Sequence, residues 1–210
     1  MILYRVCRAA IVAVCRFYWR VSYEGLENLP PTGAYVVAPV HRSFIDFGLV
    51  AGVTRRRLRY MGKDSLWEHE LPGRLFSALG AFPVRRGAAD REALRRCIEV
   101  IDGGEPLVLF PEGTRRTGPV VEELFEGTSY VAARTGVPIV PVGIGGSEKA
   151  LPKGKRLPRP VKVHVVVGPP IEPSPLPDGR RNPSRSALRE LSGQLQKELQ
   201  TLFDQAQARA

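Results

Sequence analysis

The sequence predicts a single α/β domain with a mainly parallel central sheet flanked by helices, preceded by an N-terminal amphipathic helix. Three observations predict it. Short apolar runs alternate with helical patterns along the chain, which is how strands joined by helical crossovers read. The 210 residues are 43% hydrophobic and 25% charged, enough for one globular core. No stretch approaches the roughly 18–20 uncharged apolar residues of a spanning helix.

The elements follow in chain order. Residues 1–20 form one helix. At about 100° per residue, Arg5, Arg8, Arg16 and Arg20 fall in one arc of about 120°, and Leu3, Cys7, Ile11, Val14 and Tyr18 lie opposite. Tyr4, Phe17, Tyr18 and Trp19 add interfacial aromatics. Such a helix either lies in a membrane interface without crossing it, or packs on its own domain. Gly33–Pro39 reads as a buried strand, followed by a helix over Ser43–Val53. Leu58–Gly62 is a second strand and Gly80–Gly87 ends a further extended segment. A helix over Asp90–Asp102 stops at Gly103-Gly104. Pro106–Phe110 is a third strand, Pro111–Pro119 a loop, and Phe125–Thr135 a helix stopped by Gly136. Val137–Ile144 and Val161–Val167 are further strands, and Pro169–Pro183 is a Pro-rich loop. In the last helix, Ser184–Gln207, a leucine stripe (Leu188, Leu191, Leu195, Leu199, Leu202) faces the core. The division is therefore 1–20 for an amphipathic membrane-interface helix and 21–210 for the folded domain.

The net charge of +10 favours an anionic partner: nucleic acid, a lipid surface or a phosphorylated substrate. Arg55-Arg56-Arg57 and the loop carrying Lys149, Lys153, Lys155, Arg156 and Arg159 concentrate that charge. A basic nucleic-acid-binding module is the alternative of another class, although no motif of that kind is present. Three cysteines, Cys7, Cys15 and Cys97, form no ligand spacing and read as buried thiols in a reducing compartment. The arginines of the first helix and the lack of a small-residue cleavage site argue against secretion.

Among three histidines, His164 sits inside a strand and reads as structural, and His69 lies in an exposed polar run. His41 follows a strand and precedes a helix, with Asp46 five positions on. In open α/β sheets, ligands bind at the C-terminal ends of strands. A neutral imidazole there can take a proton from a hydroxyl, and a carboxylate beside it fixes the tautomer. Ser43–Asp46 also fits a capping box, in which Asp46 merely satisfies a helix end. The sequence has no Gly-x-Ser-x-Gly elbow, Walker loop, dinucleotide fingerprint or His-Glu-x-x-His, so nothing points to a covalent intermediate, a nucleotide or a metal. After the third strand, Gly113 allows close backbone approach, Glu112 offers an acceptor for a hydroxyl, and Arg115 a fork for phosphate.

Together these segments resemble the glycerolipid acyltransferase family. His41–Asp46 resembles its His-x4-Asp motif, Gly80–Arg85 its second block, Phe110–Arg115 its third and Val137–Val142 its fourth, across about residues 20–170. The nearest branch resembles the 1-acylglycerol-3-phosphate acyltransferases, which form phosphatidic acid. The resemblance implies His41 as general base and Asp46 as its orienting partner. It implies that Arg85, Glu112, Gly113 and Arg115 hold the glycerol phosphate, that Lys63 lies near the acceptor phosphate, and that Ser43 and Thr114 support the site. It implies no metal and no cofactor, with acyl-CoA or acyl carrier protein as donor substrate. A lysophospholipid acceptor and a membrane surface would be the partners, met by a peripheral or monotopic enzyme on the cytoplasmic side of the membrane. Glycerol-3-phosphate, another lysophospholipid or a glycolipid are alternative acceptors. The chain departs from the family pattern at Val40, where many members carry Asn, and along Lys63–Trp67.

Overall fold

A computed structural model of the chain describes residues 2–84, 91–177 and 182–210. Its seven strands are β1 (Ser22–Glu24), β2 (Val36–Pro39), β3 (Arg59–Lys63), β4 (Ala81–Val84), β5 (Leu107–Val108), β6 (Ile139–Gly145) and β7 (His164–Val167). They form one sheet in the order β1-β7-β6-β2-β5-β3-β4. Strands β6, β2, β5, β3 and β4 are mutually parallel. β7 runs antiparallel to β6, and β1 runs parallel to β7. The sheet is therefore mainly parallel, as the alternation of elements predicts, with a reversed pair at one edge. Every residue of β2 and β6 is buried, which is why both read as continuous apolar runs rather than alternating ones.

The described helices are α1 (Ile2–Tyr18), α2 (Asp46–Val50), α3 (Glu70–Ala78), α4 (Arg91–Asp102), α5 (Gly127–Thr135), α6 (Ser147–Ala150) and α7 (Arg185–Arg209). Ser184 caps α7, its Oγ accepting from the Ala187 amide at 3.2 Å. The leucine stripe of α7 is buried, joined by Phe203 and Ala206. This helix lies directly on β6. A Cβ on Gly143 would stand 2.2 Å from the Leu202 carbonyl oxygen, and one on Gly145 would stand 2.1 Å from that of Ala206. The glycines of that strand thus set the helix–sheet distance.

Several elements differ from expectation. α2 covers Asp46–Val50 rather than Ser43–Val53, because residues 42–45 wrap around the Asp46 carboxylate before the helix starts. The segment read as an exposed polar run opens α3; His69 is indeed exposed, while Gly73 packs on Trp67. β7 begins at His164, not Val161. His164 holds the sheet edge, with Nδ1 2.6 Å from Ser22 Oγ and Nε2 3.2 Å from Glu24.

The first helix is both packed and apolar outside. Tyr4 and Cys15 are buried, Ile11 and Cys15 rest on Gly48 of α2, and Arg8 Nε donates to the Ala51 carbonyl at 2.9 Å. So Arg8 faces the domain and Ile11 does not face out, against the face assignment made from periodicity. The exposed stripe consists of Ile2, Leu3, Val6, Val14 and Phe17, the last 86% exposed. Among the described residues, no helix is long and apolar enough to cross a membrane.

Candidate active site

β2 is the middle strand, and the chain leaves it at Pro39 to form the loop that carries His41. β5 lies beside β2 and points the same way, so the loop after Val108 emerges next to it. Two segments some 70 residues apart in sequence are thereby brought edge to edge at the C-terminal ends of the strands.

His41 Nδ1 lies 3.0 Å from Asp46 Oδ2. The same oxygen accepts the backbone amides of Arg42 at 2.8 Å and Ser43 at 2.7 Å. Asp46 thus performs the carboxylate half of the capping box as well as meeting the imidazole. The hydroxyl half is missing, because Ser43 Oγ donates to the Leu151 carbonyl at 2.8 Å instead. With Nδ1 donating to Asp46, the lone pair of a neutral ring sits on Nε2. The ring is clamped by Phe110, whose centroid is 4.1 Å away, and by Phe47 edge-on at 5.5 Å. Beneath Phe47, Tyr60 donates to the Phe47 carbonyl at 3.3 Å, and burial pushes its pKa well up, keeping it a donor.

Glu112 was expected to meet the acceptor, and its placement overturns that. It is fully buried, and both its oxygens are taken within the protein. Oε2 accepts the His41 amide at 2.7 Å, and Arg42 Nη1 donates to Oε1 at 2.6 Å and to Oε2 at 2.7 Å. A carboxylate inside this closed pair has no surface to offer a ligand; it fixes the backbone of the histidine loop.

Arg42 is the residue sequence reasoning missed. It is 1% exposed and donates further to the carbonyls of Gly118 (3.2 Å) and Val120 (3.0 Å), with its guanidinium 4.7 Å over the Phe203 ring of α7. The available signal was a cation beside His41 and an acid at the equivalent place after another strand, but only strand order makes them neighbours.

Gly113 and Thr114 are exposed on the turn after Glu112, and Arg115 is half-buried. Gly113 has φ +65°, and a Cβ there would stand 2.7 Å from the Phe125 ring, so the turn requires glycine. The Arg116 amide donates to the His41 carbonyl at 2.9 Å, which holds this turn against the histidine loop. Lys63 is the last residue of β3, opposite Val84 of β4 on the same end of the sheet. Arg85 lies outside the described residues. The structure thus joins His41, Asp46, Ser43 and Glu112 in one network and sets Gly113–Arg115 alongside.

An acyltransferase family model matches residues 20–145. A chloroplastic 1-acyl-sn-glycerol-3-phosphate acyltransferase of Arabidopsis thaliana is 30% identical over 86% of this chain and 51% of its own. Its counterpart in Brassica napus is 30% identical over 69% of this chain and 42% of its own. The chain therefore spans about half the length of these plant relatives. The enzyme of that name from Bacillus subtilis is 28% identical over 97% of this chain and 100% of its own. The crystal structure of a 1-acyl-sn-glycerophosphate acyltransferase from Thermotoga maritima superposes with a TM-score of 0.72 at 27% identity, covering 95% of this chain and 82% of that one.

Proposed function

Because the chain belongs to the acyltransferase family, we propose that it moves a fatty acyl group from an acyl thioester to the free hydroxyl of 1-acylglycerol-3-phosphate, forming phosphatidic acid. The observation that carries this is the His41–Asp46 pair at the end of the central strand, with Nε2 turned away from the carboxylate.

In this reading His41 Nε2 takes the proton of the acceptor hydroxyl as its oxygen forms a bond to the thioester carbonyl carbon. The tetrahedral adduct collapses by breaking the C–S bond. The departing thiolate recovers the proton from the imidazolium, leaving the ring neutral. Asp46 stabilises the transient cation and holds the tautomer. A positioned base contributes a factor of about 10²–10⁴. Juxtaposing two reactants contributes about 7–11 kcal/mol more. The acceptor phosphate is held by Arg115, Lys63 and Arg85, with Gly113 and Thr114 giving it room. Glu112 and Arg42 act on the loop, not on the substrate. The donor is acyl-CoA or an acyl carrier protein, both thioesters.

A lipid acceptor requires contact with a membrane, and the exposed stripe Ile2, Leu3, Val6, Val14 and Phe17 of α1 supplies an apolar face for it. We assign the enzyme to the cytoplasmic face as a peripheral or monotopic protein.

The test is thiol release from acyl-CoA with a panel of acceptors: 1-acylglycerol-3-phosphate, glycerol-3-phosphate and other lysophospholipids. Turnover is expected with the first and lost in His41→Ala with the fold retained. Full turnover in that variant removes the base, and preference for another acceptor removes the substrate assignment.

A further inference from the structure

The loop between α6 and β7 has a composition that the reaction leaves unused. Residues 151–163 hold five cations, Lys153, Lys155, Arg156, Arg159 and Lys162, and no acid. Residues 153–160 are all exposed. In their midst stands Leu157, 83% exposed.

The loop is pinned rather than free. Arg159 N donates to the Ala150 carbonyl at 2.7 Å, which closes its base, and Lys155 N donates to the Pro152 carbonyl at 3.0 Å. On one side it touches the active-site loops: Ser43 Oγ donates to the Leu151 carbonyl, and Lys153 Nζ to that of Arg115 at 3.3 Å. On the other it touches the end of α1: Tyr18 donates to the Pro158 carbonyl at 2.9 Å and Trp19 Nε1 to that of Arg159 at 3.1 Å. Phe17, the most exposed apolar side chain of α1, is next in the chain to these two aromatics.

We infer that this loop is a second bilayer contact, selective for anionic lipid, resting on the membrane reading of α1 given above. Lys155, Arg156 and Arg159 meet lipid phosphates while Leu157 enters the acyl boundary. A headgroup layer accepts cations and an isolated leucine together, whereas a purely ionic partner leaves the leucine without a place. Because the same loop bonds to Ser43 and Arg115, it fixes the mouth of the site toward the headgroups.

The experiment is co-sedimentation of the full chain with vesicles of phosphatidylcholine alone, and of phosphatidylcholine mixed with phosphatidylglycerol. The variants are the triple Lys155→Gln, Arg156→Gln, Arg159→Gln, and Phe17→Ser. Each cation near an anionic surface is worth about fivefold in affinity, so the triple variant should lose about 100-fold on the mixed vesicles. Its binding to phosphatidylcholine alone, and its turnover in detergent, should stay unchanged. Phe17→Ser should weaken binding to both. Unchanged binding of the triple variant to mixed vesicles overturns the loop proposal and leaves the α1 reading standing. No binding of the unaltered chain to either vesicle overturns the α1 reading and the proposal with it. Normal vesicle binding with turnover lost only for an acidic carrier-protein donor makes the loop a carrier-docking surface and also overturns the proposal.

Discussion

Glu112→Gln tests whether a buried ion pair builds the histidine loop. Glutamine matches glutamate in volume but offers one acceptor oxygen and one donating amide. Glu112 faces only donors: the His41 amide at 2.7 Å and Arg42 Nη1 at 2.6 and 2.7 Å. The new amide must therefore oppose one of them, and Arg42, 1% exposed, is left as a buried cation without an anion. Breaking one partner of a buried pair costs about 3–5 kcal/mol, a large share of an ordinary domain stability of about 5–15 kcal/mol. At about 2–4 °C per kcal/mol for a chain of this size, the melting midpoint should fall by about 6–20 °C. Arg42→Met combined with Glu112→Gln removes the stranded charge, so the double variant should lose less than the two single losses added together. Recovery is incomplete, because the carbonyls of Gly118 and Val120 lose a donor. The assay is thermal unfolding followed by circular dichroism, with turnover measured below each midpoint. A midpoint for Glu112→Gln within about 2 °C of the unaltered chain, which is under one kcal/mol, or strict additivity in the cycle, would mean that the Arg42–Glu112 pair does not hold the loop.

Three further outcomes are expected. Asp46→Asn should keep the fold, since an amide oxygen can take the place of Oδ2, but lower kcat by a factor on the order of 10²–10⁴ with acceptor KM little changed; a kcat within about threefold would mean the carboxylate does not support the imidazolium. Gly143→Ala should destabilise by about 3 kcal/mol or more, because backbone of α7 stands 2.2 Å from the new Cβ, whereas Gly193→Ala in the open helix should stabilise by about 0.5–1 kcal/mol; chemical denaturation ranks the two, and equal stabilities contradict the close helix–sheet contact. Burial pushes the Cys15 thiol up to about 11 and the Cys97 thiol up to about 12, so folding favours their neutral forms. That contribution is complete below pH 9, the ordinary thiol value, and is lost as pH rises through about 11–12; urea midpoints between pH 8 and 11 should decline, less steeply in Cys97→Ala, and a flat profile would contradict the burial.

Much of this protein was legible in its residues. The order of strands and helices followed from apolar periodicity and from glycine stops such as Gly136, whose φ of +68° ends α5. His41 and Asp46 were readable as a pair because five residues of one loop bring them together without help from the rest of the chain. Periodicity also gave α1 an apolar face, but not the choice of face. Which stripe turns inward depended on α2, where Gly48 leaves space for Ile11 and Cys15.

Local sequence determined the elements, their turns and the acid–base pair, because each is decided by backbone sterics and hydrogen bonds within a few residues. The tertiary structure alone decided that Glu112 serves Arg42 and the His41 amide rather than a substrate. That outcome depends on β5 inserting beside β2. The choice of neighbour strand is made by packing across the whole sheet, and burial patterns tell a residue that it goes inside without telling it whom it meets there.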